Sequence, residues 1–233
     1  MKKTIGLLIL VTSISCSQTG QQNNSDSQTI SNEIKCENSV PFGDINICLP
    51  EIDGMTECYS SPTVKERADK LSTEDNLILG VYLNNSTFKQ VDKLDEITFD
   101  EYIQIYAGKK LKGVKMEQDN LNEIAKSMGG TYFKDNWSII KDKVKEKLDS
   151  MSIGRPILIH SYAIKNNVRT FVMMTKILAG DYEKVQIVIM NLIIIKERYI
   201  SLAFYKGYDG EESIKNAKSK NDYIVLQFLD ENK

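Results

Sequence analysis

The chain predicts an α+β fold: an antiparallel sheet with a long C-terminal strand meander, flanked by helices. Three observations predict it. Four apolar runs, 157–164, 168–177, 185–195 and 199–206, follow one another with only short polar breaks, a spacing that hairpins allow and parallel crossovers do not. The run VQIVIMNLIII over 185–195 is nearly all apolar, as a strand covered on both faces should be. Segments at helical spacing lie on either side of the meander, and a sheet with two apolar faces needs such cover.

Taken in order, Ile45 to Leu49, ending at Pro50, reads as a first strand, and 65–71 as a short helix. Asn76 to Leu83 (NLILGVYL) reads as a buried strand closed by Asn84-Asn85-Ser86. Thr98-Phe99-Asp100-Glu101 has the form of a capping box, with Ile97 positioned to staple onto Tyr102. Phe99, Tyr102, Ile103 and Tyr106 follow at helical spacing, so a helix is predicted from Thr98. Its face is either packed on the sheet or, through Tyr102 and Tyr106, part of a ligand groove. A second helix is predicted over 120–128, with Asn120 and Glu123 as the cap and Gly129-Gly130 as the stop. A third covers 136–151, where Trp137, Ile140, Val144, Leu148 and Met151 make one stripe. Gly154-Arg155-Pro156 breaks that pattern and the meander begins. Asn166-Asn167 is a predicted tight turn, because Asn tolerates positive φ. Ala179-Gly180-Asp181 and Lys196-Glu197 are the other two turns. Asp209 is the predicted cap of a closing helix with Glu212 at its third position, and Ile214, Ala217, Asn221, Ile224, Val225 and Phe228 fall on one side of it.

The N-terminus is organised differently. Met1-Lys2-Lys3 is a positive n-region, Ile5 to Val11 an apolar h-region too short to span a bilayer, and Ser13-Ile14-Ser15-Cys16 a cleavage site. This order resembles a bacterial lipoprotein signal, which implies that Cys16 becomes the acylated N-terminus and holds the protein on a membrane. Ser13 and Ser15 are also a small-x-small pair at which an ordinary signal peptidase would cut the same bond and leave no lipid. Residues 17 to 35 are rich in Ser, Gln, Asn and Thr and too polar to bury a core, so a flexible tether is expected. The expected organisation is signal peptide over 1–15, lipidated Cys16 and tether over 16–35, and one α+β domain over 36–233.

Lys2 and Lys3 leave with the signal, so the 30 basic residues become 28 against 32 acidic, a net charge of −4. No basic stripe of the kind nucleic-acid binders carry is present. With Cys16 lipidated, Cys36, Cys48 and Cys58 remain, an odd number that implies one disulfide and one free thiol in an exported protein. The pairings expected are Cys48–Cys58 or Cys36–Cys58. Zinc is disfavoured: there is no C-x-x-C, and the single histidine, His160, is over a hundred residues away.

The strand ending at Pro50, the helix after Thr98, the Gly-Arg-Pro run into the meander and the closing helix ending Gln227-Phe228-Leu229 together resemble the PsbP-like and DcrB-like superfamily of exported or lipid-anchored domains, over Ile45 to Leu229. The resemblance implies an accessory or binding role exercised by docking onto a larger assembly, and it brings no catalytic motif. The stretch between Gly113 and Arg155 departs from the superfamily's minimal form and is the expected partner patch.

Candidate chemistry is sparse. His160 lies on a strand, where alternation predicts that it shares a face with Leu158, Tyr162 and Ile164. As a base it would serve a nucleophile, but no G-x-S-x-G elbow is present. Asp92, Asp95 and Glu96, and Asp209, Glu211 and Glu212, are clusters from which paired acids for glycoside hydrolysis could be drawn. Each cluster also precedes a predicted helix, whose dipole already accounts for acids there. Asp119 to Glu123 does not fit the calcium loop, and Gly129-Gly130 fits neither phosphate-loop motif. No catalytic, cofactor or metal residues are therefore assigned, and no cofactor is expected. The expected role is a lipid-anchored, non-catalytic binding module of the bacterial envelope, facing the periplasm or the cell surface and docking onto a protein partner. The alternatives are a periplasmic immunity-type lipoprotein that neutralises a toxin, and a hydrolase using His160 or an acid pair.

Overall fold

The computed structural model describes residues 36–93, 100–128, 144, 148, 151–179 and 182–233. In chain order the elements are β1 (Ser39–Phe42), β2 (Ile45–Cys48), β3 (Met55–Glu57), α1 (Pro62–Leu71), β4 (Asn76–Asn84), α2 (Asn85–Phe88), β5 (Glu101–Gly108), a 3-10 turn (Lys109–Leu111), α3 (Gln118–Ser127), β6 (Ile157–Tyr162), β7 (Val168–Ala179), β8 (Tyr182–Ile195), β9 (Arg198–Gly207) and α4 (Glu211–Glu231). β1 and β2 pair as a hairpin, and the other strands form a seven-stranded sheet in the order β3-β4-β5-β9-β8-β7-β6. Every pairing between these strands is antiparallel. The sheet is two meanders, β3 to β5 and β6 to β9, joined where β5 lies against β9. The predicted α+β class and the C-terminal meander are what the chain adopts.

The helix expected from Thr98 is instead strand β5. Of its predicted capping box, Thr98 and Phe99 lie outside the described residues, and Glu101 is the first residue of β5. Within β5, Ile103, Ile105 and Ala107 are fully buried while Tyr102, Gln104 and Tyr106 are half-buried, a period of two. Aromatic and β-branched residues suit a pleated surface, and β5 fills the slot between β4 and β9 that the two meanders need. β1 and β3, at four and three residues, were too short to show a period. The helix predicted at 120–128 is α3, but its box is made by Glu117 and Asn120 (Glu117 N–H to Asn120 Oδ1, 2.9 Å), so Asn120 is the third helical residue rather than the cap. The helix predicted over 136–151 lies outside the described residues save Val144, Leu148 and Met151, of which Val144 and Met151 are buried.

The larger core lies between the sheet and α4. Ile187, Ile189 and Ile193 of β8, Val172 and Met174 of β7, and Leu202 and Phe204 of β9 meet Ile214, Ala217, Ile224, Val225 and Phe228. Each large side chain buried in this way contributes about 1.5–3 kcal/mol. On the other face α3 sets Leu121 and Ala125 on Phe171 and Leu192. β8 is thus covered on both sides, as its continuous apolar run predicts. α4 is capped by Gly210 (φ +79°), not by Asp209; Ser213 Oγ donates to Gly210 O at 2.6 Å and accepts from Asp209 N–H at 3.1 Å.

Positive φ is found at Lys196 (46°) and Glu197 (59°), not at Asn166-Asn167. The β8–β9 turn is therefore of the primed kind that matches strand twist, held by residues that adopt it at a cost on the order of 1 kcal/mol each. Its surroundings fix it. Glu197 O accepts from Met116 N–H (2.9 Å), Glu197 pairs with Lys115 (2.6 Å), and Arg198 pairs with Asp44 (2.5 Å).

Candidate functional site

The N-terminal hairpin is fastened to the end of α4. Cys36 and Cys48 form the disulfide, with Cα atoms 5.6 Å apart, and Cys58 is the free thiol. This corrects both expected pairings, each of which used Cys58. Cys58 is buried behind β3, where its thiol donates to Val81 O (3.3 Å), and burial pushes its pKa up to about 12. An inert, structural thiol results. Asn232, just past α4, accepts from Cys48 N–H and donates to Cys48 O, both at 2.8 Å. The side chain thus completes the disulfide-bonded strand as another strand would.

Between this hairpin, the segment that follows it and α4 lies an open cleft of about 1180 Å³. The segment alternates. Leu49, Ile52 and Met55 are buried, whereas Glu51 and Asp53 are exposed. Pro50 O accepts from the buried Tyr82 hydroxyl (2.9 Å), and Met55 N–H donates to Ile52 O (3.0 Å) across a turn in which Gly54 takes φ +74°. These contacts hold the backbone while the two acids face outward. α4 contributes Tyr223, Gln227, Asp230 and Glu231, spaced so that they share one side of the helix. Gln227 Nε2 donates to the Tyr223 hydroxyl (2.8 Å).

Six carboxylates line the cleft (Glu37, Glu51, Asp53, Glu57, Asp230 and Glu231), and among its described lining residues there is no Lys or Arg. Asp230 pairs with Lys233 (2.7 Å), and Glu57 accepts from the N–H groups of Tyr59 (3.0 Å) and Val81 (3.2 Å). Glu37, Glu51, Asp53 and Glu231 have no cationic partner among the described residues. A second cleft, of about 650 Å³, lies on the other side of the same helix end, where Leu226 and Leu229 meet Ile164 and Ile194 beside Lys165, Lys196 and Lys233.

His160 is elsewhere. A bulge between Leu158 and His160 shifts the register of β6, so Leu158 turns to the α3 side with Met173, while His160 and Tyr162 face α4. That breaks the expected sharing of a face between His160 and Leu158. The His160 ring is buried and stacks on Tyr162 with centroids 5.4 Å apart. Tyr162 in turn donates to Asp222 Oδ1 (2.6 Å) and lies 4.6 Å from Lys218 Nζ. The network continues through Asn221 to Asn191 and Thr170. Ser161, the adjacent hydroxyl, is opposite Phe171 and so on the other face. Neither cleft includes His160.

The remaining candidates are dispersed. Asp92 accepts from Thr63 Oγ1 (2.7 Å), and Asp95 and Glu96 lie outside the described residues, as does Cys16. Glu211 and Glu212 sit in the first turn of α4, with Asp209 just before it. Tyr102 stacks on Tyr205 at 4.2 Å, and the Tyr106 hydroxyl donates to Met190 Sδ at 3.2 Å; burial pushes both phenols far up. Within Val114 to Met128, the described start of the expected partner patch, Leu121 and Ala125 pack on the sheet and Met116 N–H donates to Glu197 O in the β8–β9 turn, while Val114 and Met128 are exposed. Among the described residues no three His, Cys, Asp or Glu side chains are grouped to hold a metal ion, and no helix is long and apolar enough to cross a membrane.

No family model matches this chain, and no curated protein does. Among solved structures, the Ran-binding protein Mog1p of Saccharomyces cerevisiae is similar over 80% of this chain and 86% of that one, at 13% identity and a TM-score of 0.31.

Proposed function

We propose that this chain is a lipid-anchored protein of the bacterial envelope whose folded domain docks, without catalysis, onto a protein partner. The observation that carries the reading is the acidic cleft: a wide, solvent-open concavity whose described charged residues are all acidic, built on a sheet edge and α4. Such a surface selects partners by electrostatic complementarity. The signal ending at Cys16 supports the address, and the PsbP-like and DcrB-like resemblance supports an accessory role. His160 favours no hydrolase, since its ring is packed under α4 and the neighbouring hydroxyl faces away.

Two measurements test this. Labelled palmitate should enter the wild-type protein and not a Cys16→Ser variant. Crosslinked capture from detergent-solubilised envelopes of its own organism should recover a stoichiometric protein partner, and recovery of the protein alone would contradict the docking reading. The immunity-type reading gains from the same cleft, because a toxin inhibitor needs one strongly charged face. It differs in expecting the tight partner among proteins delivered by competing cells.

A further inference from the structure

β3 is a terminal strand of the sheet, and no strand among the described residues pairs with its outer side. Asn85 N–H donates to Gly54 O (3.1 Å) and Cys58 N–H to Val81 O (2.8 Å). With antiparallel alternation, Thr56 then makes the ladder bonds to Leu83, and Met55 and Glu57 direct their backbone groups away from the sheet. Met55 N–H is used by Ile52 O. Met55 C=O, Glu57 N–H and Glu57 C=O are left, and no hydrogen bond among the described residues uses them. Thr56 and Glu57 belong to the lining of the acidic cleft. An unpaired edge is a template for another extended chain.

From this edge and the charge beside it we infer that the cleft receives an extended, Lys- or Arg-rich segment of a protein, which adds to β3 as a short eighth strand. The inference deepens the docking reading and rests on it. Charge complementarity selects the occupant: an anionic or neutral strand would leave Glu51, Asp53 and Glu231 unpaired, whereas alternate cationic side chains of an extended chain, about 6.6 Å apart, fall on one side and face them. The edge is only three residues long, so backbone bonds alone hold little, and the carboxylates supply the rest. Tyr223, 54% exposed on α4, gives the stems of such side chains an aromatic surface.

The test uses the full mature chain in detergent micelles and a fluorescent peptide of about ten residues, long enough to pass the edge, with Lys and Thr alternating. Wild-type protein should bind it, and affinity should fall as salt rises from about 0.05 to about 0.5 M. The variant Glu51→Gln/Asp53→Asn/Glu231→Gln, which changes only cleft-facing side chains and should keep its melting temperature, should lose about tenfold in affinity. A peptide with alternate backbone nitrogens methylated should bind more weakly still, because it cannot pair with the edge. Equal binding by the wild type and the triple variant, or equal binding of a Glu-Thr peptide, would overturn the site. An unchanged affinity on methylation would overturn the strand addition. The two readings fail separately. If the triple variant still captures the envelope partner at the wild-type level, docking stands and the cleft is wrong. If the peptide binds but no partner is captured, the cleft stands and docking is wrong.

Discussion

The last two turns of α4 separate two clefts of opposite character. Among the described lining residues, the side of Tyr223 and Gln227 has six carboxylates and no Lys or Arg; the side of Leu226 and Leu229 has three lysines, one carboxylate and an apolar floor. The helix is common to both, and Asp230 lines both, so the difference comes from what the rest of the chain brings up. The acidic side receives the acids of the 49–57 segment, thrown outward because Leu49, Ile52 and Met55 are drawn in. The basic side receives the hairpin turns β6–β7 and β8–β9. A net charge near zero therefore conceals a polarised surface, and composition is a poor guide to whether a chain has a charged face.

The largest expected effect breaks the comparison itself. Phe228 is fully buried beneath the helix segment that divides the clefts, so Phe228→Ala should cost about 3–5 kcal/mol. Denaturant titration reads the loss, and peptide affinity should fall with it. His160→Ala comes next: a buried ring stacked on Tyr162 is removed, which should cost about 1–3 kcal/mol and leave peptide binding unchanged. An unchanged melting temperature would show that the ring is not structural.

Glu101 sharpens the comparison by testing α4 away from both clefts. It pairs with Lys206 (3.0 Å) and with Lys220 of α4. Burial pushes its carboxyl up, but the two ammonium groups outweigh that and hold it below the usual carboxylate range. A depressed folded pKa stabilises above the unfolded value of about 4.3 and is lost as pH falls through the folded one. Glu101→Gln, which leaves two lysines without their shared anion, should cost about 1–2 kcal/mol at pH 7. It should also flatten the acid limb of the stability curve below about pH 4, measured by thermal melts across pH. Least disruptive is thiol labelling. Cys58 lies behind the β3 edge with its thiol pushed up to about 12, so it should resist alkylation at neutral pH until denaturant is added. Bound peptide should slow the residual labelling further, and mapping under non-reducing conditions should recover Cys36 joined to Cys48.

How legible all this is from the sequence depends on length scale. The meander strands show because runs of eight or more residues impose a period, and the continuous run in β8 correctly implies cover on both faces. β5 misleads because Tyr102, Ile103 and Tyr106 fit a period of 3.6 while Ile103, Ile105 and Ala107 fit a period of two, and only the pairing with β4 and β9 decides between them. The bulge that reorients His160 leaves no local mark in ILIHSY. The cleft is harder again. Its helix side was readable as Tyr223, Gln227 and Glu231 at successive turns, but Glu51 and Glu231 are far apart in sequence and line one cleft because Asn232, past the end of α4, is hydrogen-bonded to both backbone groups of Cys48.

The most direct measurement is site-specific photocrosslinking in intact envelopes, with p-benzoylphenylalanine replacing Tyr223 in one strain and Leu226 in another. Both positions are exposed on α4, and they face different clefts. Docking through the acidic cleft expects a single protein adduct from position 223 and none from 226. An adduct from 226 alone, or the same adduct from both, would contradict it.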